Sequence, residues 1–394
     1  MITGGPGTGK TTLVRSILLL FEAMARKVIL GAPTGRAAKR LSEVTQREAS
    51  TIHRILAYDV RDASFRKNEE NPLDADAVII DEASMVDTFL MYHLLRAVPM
   101  EAVLILVGDV SQLPPVGAGS VLKDIMASHR VPVFHLRKIF RQARESLIVV
   151  NAHRVNKGEF PLLEQKESDK DYSDFYFIEE TDSDRIVSTI LSLCQNRIPK
   201  AFRLDPFTDV QVLSPMHKGP AGVQNLNILL QEALNSSTDV IERMGRAFRT
   251  GDKVMQIRNN YVKEVFNGDI GRVVSIWRKE QTLVVDFYGK LVAYGFEEID
   301  ELVLAYAISV HKAQGSEYPA VILPLTTSHY VMLQRNLLYT GLTRAKQLMI
   351  LLGSRKALAI AVKNDTPSKR FSRLGQRLRA PLALQTTPPV FQEP

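Results

Sequence analysis

GGPGTGKTT, residues 4–12, opens the chain, and its reading decides the fold. Gly4, Gly9, Lys10 and Thr11 have the spacing of a phosphate-binding loop. Glycines let successive backbone N–H groups turn inward around phosphate oxygens, the lysine reaches the terminal phosphates, and the hydroxyl after it can hold Mg²⁺. The candidate nucleotide contacts are Gly5, Pro6, Gly7, Thr8, Gly9, Lys10, Thr11 and Thr12, with Thr11 also a metal ligand. Glycine-rich turns are common; the full pattern with lysine and threonine is not. Leu13, Val14, Ile17, Leu18, Phe21 and Met24 follow at helical spacing, so the loop ends on a helix N-terminus, whose dipole favours anions. Such a loop should leave a buried strand. Only Met1, Ile2 and Thr3 precede it, so the sequence reads as a late start lacking its first core strand. A parallel sheet without a central strand would carry unpaired backbone groups on a buried edge.

Working outward, residues 27–32 (KVILGA) read as a buried strand that runs through Pro33, Thr34, Gly35 and Arg36 into a helix. Residues 51–56 (TIHRIL) are followed by an irregular charged stretch, 58–74, read as an exposed hairpin or loop. Residues 77–80 form an apolar strand ending in Asp81-Glu82. Asp81 can bind Mg²⁺, and Glu82 can orient or deprotonate the attacking water, because phosphoryl transfer needs positioning and charge neutralisation. An apolar strand ending in two acids is also the form of an ordinary turn; its place in the same α/β run favours the metal site. Residues 102–107 are another strand, followed by Gly108-Asp109 and Gln112. Just beyond a strand's C-terminal end is where such sheets keep ligand-facing groups, although an ordinary polar loop has the same composition.

The second half repeats the α/β style. Residues 209–213, 321–325 and 348–352 are apolar strands, and 226–234 is a helical pattern. Between them, 252–294 alternates in short β-branched runs broken by Asn267-Gly268 and Tyr288-Gly289, which predicts hairpins and a small antiparallel barrel. On physical grounds a structural insert and a binding insert are equal readings.

The chain has 394 residues, 45% hydrophobic and 24% charged, enough for two or three cores. A net charge of +7 suits a polyanionic partner, or serves solubility alone. The single cysteine, Cys194, excludes a disulfide framework and a cysteine-rich metal site within the chain. No run reaches the length of a membrane span, and the expected location is cytoplasmic.

Taken together, GGPGTGKTT, APTGRAAKRL, TIHRIL, VIIDEASMVD and LVGDVSQLPPVGAGSVL resemble successive motifs of the RecD-like DNA helicases of superfamily one. Phe140-Arg141-Gln142, VLSPM, FNGDIG, LAYAISVHKAQGSEYPAVI and NLLYTGLTRAK resemble the family's remaining motifs, in order. The resemblance implies an α/β protein of two RecA-like domains with parallel sheets, 1–138 and 139–246 with 301–378. It further implies an SH3-like β-barrel insert at 247–300, a possible duplex-splitting hairpin at 58–74, and ATP and Mg²⁺ as cofactors. The Pro- and Thr-rich stretch 379–394 is read as a disordered tail. By the same resemblance Lys10, Glu82, Gln112, Arg141 and Arg344 are catalytic, the arginines acting on the γ-phosphate and Gln112 sensing it. Asp81 joins Thr11 at the metal, and Gly315 and Glu317 face phosphate and ribose. Thr34, Arg36, His53, Asn260, Ser309, His311 and Lys312 are the implied DNA contacts, holding the phosphate backbone without reading sequence. A lone arginine is more often a surface ion pair, and a lone histidine is often structural.

The implied activity is ATP-driven movement 5′ to 3′ on single-stranded DNA, with unwinding at junctions or ends in repair or recombination. Two rivals stay open. One is a subunit of an exodeoxyribonuclease V-like helicase–nuclease complex; the other is a DNA-binding fragment without turnover. A P-loop kinase or GTPase would not need a second α/β domain carrying Arg344 in GLTRAK.

Overall fold

The computed structural model describes every residue except 60, 141–144, 164–172, 244, 367–369, 371 and 381–394. The chain forms two compact units: Met1–Pro33, Ala37–Lys138 and Thr366–Pro394 in unit 1, and Thr34–Arg36 with Ile139–Asp365 in unit 2. Among the described residues no helix is long and apolar enough to cross a membrane.

Unit 1 is built on a six-stranded parallel sheet. Its order is Ala49–Thr51, Val28–Ala32, Ala77–Ile80, Val103–Gly108, Ile2–Gly4 and Phe134–Leu136. The expectation of a missing first strand is therefore corrected. Ile2–Gly4 lies inside the sheet, Ile2 opposite Val107 on one side and Phe134 on the other. The α-amino group of Met1 donates to the Pro132 carbonyl at 2.9 Å. Three residues suffice because both edges of the short strand are paired, leaving no row of buried orphan groups.

Alternation along these strands sorts the core onto two faces. Ile2, Leu30, Ile79 and Val107 point to one face and pack with Val14 and Leu18 of the Lys10–Ala23 helix and Leu41 of the Gly35–Thr45 helix. Met1, Val78, Ile80 and Leu106 point to the other, against Leu90, Met91 and Leu94 of the Thr88–Ala97 helix and Val121 and Leu122 of the Val121–Ser128 helix. The Asp87 carboxylate caps the Thr88–Ala97 helix by accepting from the Leu90 N–H at 2.8 Å.

Within the expected hairpin, Tyr58–Asp59 pairs antiparallel with Ser64–Phe65. Phe65 turns inward, its ring 4.9 Å from Tyr58 and 4.6 Å from His93. The sequence reading gave 301–378 to the second domain, whereas the residues from Thr366 onward group with unit 1. Arg370 explains this by donating to the carbonyls of Pro115 at 2.6 Å and Gly119 at 2.9 Å. Leu374 packs onto the Val121 face, opening the Leu374–Arg379 helix. The stretch 379–394, read as disordered, lies outside the described residues apart from Arg379 and Ala380.

Unit 2 carries two five-stranded sheets. One is parallel: Ala307–Ser309, Val210–Ser214, Tyr318–Leu325, Ala345–Gly353 and Phe175–Glu179. Its core joins Val210, Val212, Ile322 and Ile350 to Ile186 and Ile190 of the Ser183–Ser192 helix and Leu226 and Leu230 of the Val223–Leu234 helix. The other is antiparallel: Lys290–Gly295, Thr282–Phe287, Ile270–Trp277, Lys253–Gln256 and Leu302–Leu304, running past the expected end at 300. Its tightest hairpin turns through Tyr288 (φ +58) and Gly289 (φ +92), with Phe287 opposite Lys290. Two successive positive φ values match the right-handed strand twist, which favours glycine second.

A buried polar joint ties the two sheets of unit 2 together. The fully buried Asp252 carboxylate accepts from Asn235 at 2.7 Å, Tyr306 OH at 2.9 Å, Gln231 at 2.5 Å and the Arg249 N–H at 2.6 Å. Its neighbour Lys253 sends its ammonium to the Val210 carbonyl at 3.0 Å. Burial, with the Arg36 charge second, pushes the Lys253 ammonium down to about 7.

Candidate functional site

In unit 1 the phosphate-binding loop leaves the C-terminal end of Ile2–Gly4 and enters the Lys10–Ala23 helix through Gly9, whose φ is +82. A non-glycine residue there would be strained. The helix has no side-chain cap, so its first-turn N–H groups face the loop without a side-chain acceptor. That arrangement is an anion site by construction. A Cβ on Gly4 would stand 2.6 Å from Thr8 Oγ1, so the strand end must be glycine for the loop to close. Thr8 Oγ1 donates to the Gly5 carbonyl at 2.8 Å. Lys10 folds back onto the loop, its ammonium 2.6 Å from the Gly4 carbonyl and 3.0 Å from that of Gly5.

Asp81 and Glu82 follow the end of Ala77–Ile80, two strands away from Ile2–Gly4 in the sheet. The Glu82 N–H donates to Asp81 Oδ1 at 2.8 Å, and Glu82 itself has a left-handed backbone, φ +50. Burial first, then the Glu82 charge, pushes the Asp81 carboxyl up to about 6; Arg40 and Lys10 pull the other way. A buried acid destabilised in this way is suited to a cation ligand. Gln112 is buried, and its Oε1 accepts no hydrogen bond from the described residues. A buried acceptor without a donor is a group awaiting one.

His53 sits 5.7 Å from both Tyr58 and Phe65, ring to ring, and burial holds its pKa below the ordinary value against the pull of Asp87. It is thus one ring of an aromatic packing cluster as well as a DNA candidate.

In unit 2, Arg36 donates through Nη1 to Ser316 Oγ at 2.9 Å and Tyr318 OH at 2.8 Å. Its Nε and Nη2 are buried without a partner among the described residues. Thr34 is half-buried in the same segment. Lys312 donates to Asn267 Oδ1 at 2.6 Å, and burial, then Arg36, lowers its pKa. Asn267 was legible only as a turn residue; its role as a lysine partner had no local signal. Ser309 is buried, its Oγ accepting from the Lys312 N–H at 3.3 Å. Burial, then His217, lowers the pKa of His311. Asn260 is tied to the antiparallel sheet: Nδ2 donates to Glu301 at 3.2 Å and Oδ1 accepts from the Lys263 N–H at 3.0 Å.

Gly315 turns with φ +73, and the Glu317 carboxylate lies 3.5 Å from the Lys346 ammonium. Arg344 is 2% exposed and held at three points: Nε to the Thr340 carbonyl at 3.1 Å, Nη1 to the Ser316 carbonyl at 3.0 Å, and Nη2 to Thr343 Oγ1 at 3.0 Å. Arg141 lies outside the described residues.

Known proteins share this plan. Residues 1–118 match the model of an AAA domain, 226–287 that of the ATP-dependent RecD-like DNA helicase SH3 domain, and 304–352 that of the UvrD-like helicase C-terminal domain. The ATP-dependent RecD2 DNA helicase of Deinococcus radiodurans is 38% identical over 380 residues, 96% of this chain and 50% of that protein. The RecBCD enzyme subunit RecD of Mycobacterium tuberculosis is 30% identical over 415 residues, 96% of this chain and 70% of that protein. The chain therefore spans about half the length of the RecD2 relative. In three dimensions it is similar to a Bacteroides Pif1 helicase crystallised with ADP-AlF3 and single-stranded DNA, with a TM-score of 0.52 and 18% identity over 98% of this chain and 91% of that one. The Pif1 helicase of Candida albicans gives 0.51 and 18% over 91% and 92%. At that identity the likeness concerns the RecA-like fold; it is the sequence relatives and domain models that place this chain in the RecD-like helicases of superfamily one.

Proposed function

We propose that this chain is the motor portion of an ATP-dependent DNA helicase that moves 5′ to 3′ on single-stranded DNA. The observation that carries the reading is the pairing of an uncapped, glycine-entered helix N-terminus with the Asp81-Glu82 strand end in one parallel sheet. Gly5 to Thr12 cradle the phosphates of ATP, and Lys10 trades the Gly4 and Gly5 carbonyls for phosphate oxygens. Thr11 and Asp81 would hold Mg²⁺, which supplies charge neutralisation at the transferring group. Glu82 orients the attacking water, Gln112 finds its missing donor in the nucleotide site, and Arg344 and Arg141 supply charge during turnover. Gly315 and Glu317 take the phosphate and ribose side.

DNA phosphates are held by Thr34, Arg36, His53, Asn260, Ser309, His311 and Lys312. The open Nε and Nη2 of Arg36 support this reading, because a phosphate oxygen pair satisfies that edge of a guanidinium. The antiparallel sheet closes as an SH3-like barrel that grips the strand, and the Tyr58–Asp59 hairpin meets the duplex. The domain limits of the sequence reading go with this proposal: 1–138, then 139–246 with 301–378, the latter shortened at Thr366. The setting is repair or recombination at junctions or ends, in the cytoplasm. Because the Mycobacterium tuberculosis relative is a RecBCD enzyme subunit, a helicase–nuclease partner is a second reading for assembly.

The test is strand separation of duplexes bearing a single-stranded tail on the 5′ or the 3′ side, with ATP and Mg²⁺. The 5′-tailed duplex is expected to open and the 3′-tailed one to stay paired. Opening of the 3′-tailed duplex alone overturns the polarity, and opening of neither overturns the helicase reading.

A further inference from the structure

Gln112 is constrained by the residues that follow it. Its own N–H donates to the Asp109 carbonyl at 3.2 Å, and its side chain is buried. Leu113, Pro114 and Pro115 come next. A proline ring locks its own φ, and a residue that precedes proline is kept out of the helical region, so all three positions are stiff. Whatever holds the Pro115 carbonyl therefore holds the Gln112 backbone as well.

Arg370 holds it. Nη2 donates to the Pro115 carbonyl at 2.6 Å, and Nη1 donates to the carbonyls of Gly119, at 2.9 Å, and Gly117. Alternate carbonyls of the loop thus turn to one guanidinium. The other side of the loop rests on the start of the Thr88–Ala97 helix. There the Thr88 N–H donates to the Ala118 carbonyl at 3.0 Å, and a Cβ on Gly117 would stand 1.9 Å from Asp87 Oδ2. Arg370 is itself anchored, because Leu374, shortly after it, packs on the Val121 face of the core, and the Arg379 carbonyl accepts from Arg130 at 3.2 Å. Every one of these residues belongs to unit 1.

The Gln112 Oε1 is buried with no donor among the described residues. Such a group meets a ligand productively only when its backbone is held in one place. We propose that Arg370 is a positioning residue for Gln112: its fork fixes the Pro115–Gly119 loop, and the stiff Leu113-Pro114-Pro115 link passes that constraint to the glutamine. The inference rests on the reading of Gln112 given above and adds the group that holds it.

The experiment measures kcat and KM for ATP with saturating oligothymidylate, together with melting temperatures. Arg370→Ala and Arg370→Lys are each placed in the parent chain and in a Gln112→Ala background. In the parent chain Arg370→Ala is expected to lower kcat by about tenfold to a hundredfold, the scale of a misplaced catalytic group, with KM changed by no more than about twofold. Arg370→Lys, a point charge in place of a fork, recovers part of the loss. In the Gln112→Ala background Arg370→Ala lowers kcat by less than about twofold, because the residue it acts through is gone. If Arg370→Ala does not fold, Arg370→Lys in the two backgrounds gives the same comparison. Equal falls in both backgrounds overturn the inference and leave Arg370 a structural role. Unchanged kcat in Arg370→Ala, beside a loss in Gln112→Ala, overturns the inference alone. Full turnover in Gln112→Ala removes the reading of Gln112, and a parent chain that hydrolyses no ATP removes the helicase reading; either takes the inference with it.

Discussion

Lys10 of unit 1 and Arg344 of unit 2 are both cations proposed to act on phosphate, and each is held differently within its own unit. Lys10 rests on two carbonyls of its own loop at a half-buried helix N-terminus. Arg344 is buried and fixed by three acceptors of its own unit. An ammonium on a flexible stem exchanges one oxygen for another by rotating, whereas a planar fork bonded at all three nitrogens is fixed in direction. The lysine can turn toward a ligand without disturbing the fold, and the arginine is a fixed part of the fold of unit 2. The lesson is that a cation in a phosphate-binding motif can be left to rotate on its stem or be built into the fold.

The largest effect that can break this contrast is on turnover. Lys10→Ala and Arg344→Ala are both expected to lower kcat by about a thousandfold or more, the scale of cations that stabilise a transferring phosphoryl group. Equal turnover in Arg344→Ala and the parent chain would leave Arg344 with its structural part alone. Stability sharpens the contrast next. Arg344→Ala leaves the Thr340 and Ser316 carbonyls without a buried donor and should lose about 3 kcal/mol in denaturant unfolding, whereas Lys10→Ala should stay within about 0.5 kcal/mol. Similar losses in the two variants would show that the arginine is no more deeply built in than the lysine.

Two smaller effects are read against pH. Asp81 has its pKa raised to about 6 from 3.8, so the fold favours its protonated form. Its ionisation between those values removes stability as pH rises, while metal binding needs the ionised form. Without metal, stability should therefore fall as pH rises from about 4 to about 6, and Asp81→Asn should flatten that slope and abolish the Mg²⁺ dependence of hydrolysis. Lys253 is lowered to about 7 from 10.5, so the folded chain gives up a proton that the unfolded chain keeps. Stability should rise with pH across that window, and Lys253→Met should remove the rise. A slope that persists in Lys253→Met would assign it to another group.

Local chemistry made much of this molecule legible before any coordinates. The phosphate-binding loop, the Asp81-Glu82 strand end and the Tyr288-Gly289 hairpin each need particular residues at fixed spacing, and sequence records spacing directly. Ile2–Gly4 was missed because three residues are too few to display a period; its identity as a strand comes from partners about a hundred residues away. Ala307–Ser309 escaped for the same reason, being fixed by pairing with Val210–Ser214, and the five-residue Phe175–Glu179 is likewise placed by its pairing with Ala345–Gly353. The Asp252 joint and the Arg36–Ser316 bond were invisible in kind: they join residues from 3 to 280 positions apart, and their partners are ordinary polar side chains. Arg344 could be read as a cation in a family motif, but its burial could not.

The most direct measurement is steady-state ATP hydrolysis by the purified chain, with and without single-stranded DNA, beside Lys10→Ala. The account predicts turnover that DNA stimulates and that Lys10→Ala abolishes. Hydrolysis that survives in Lys10→Ala would contradict it, as would DNA binding with no hydrolysis at all, which would make this chain a binding module and not a motor.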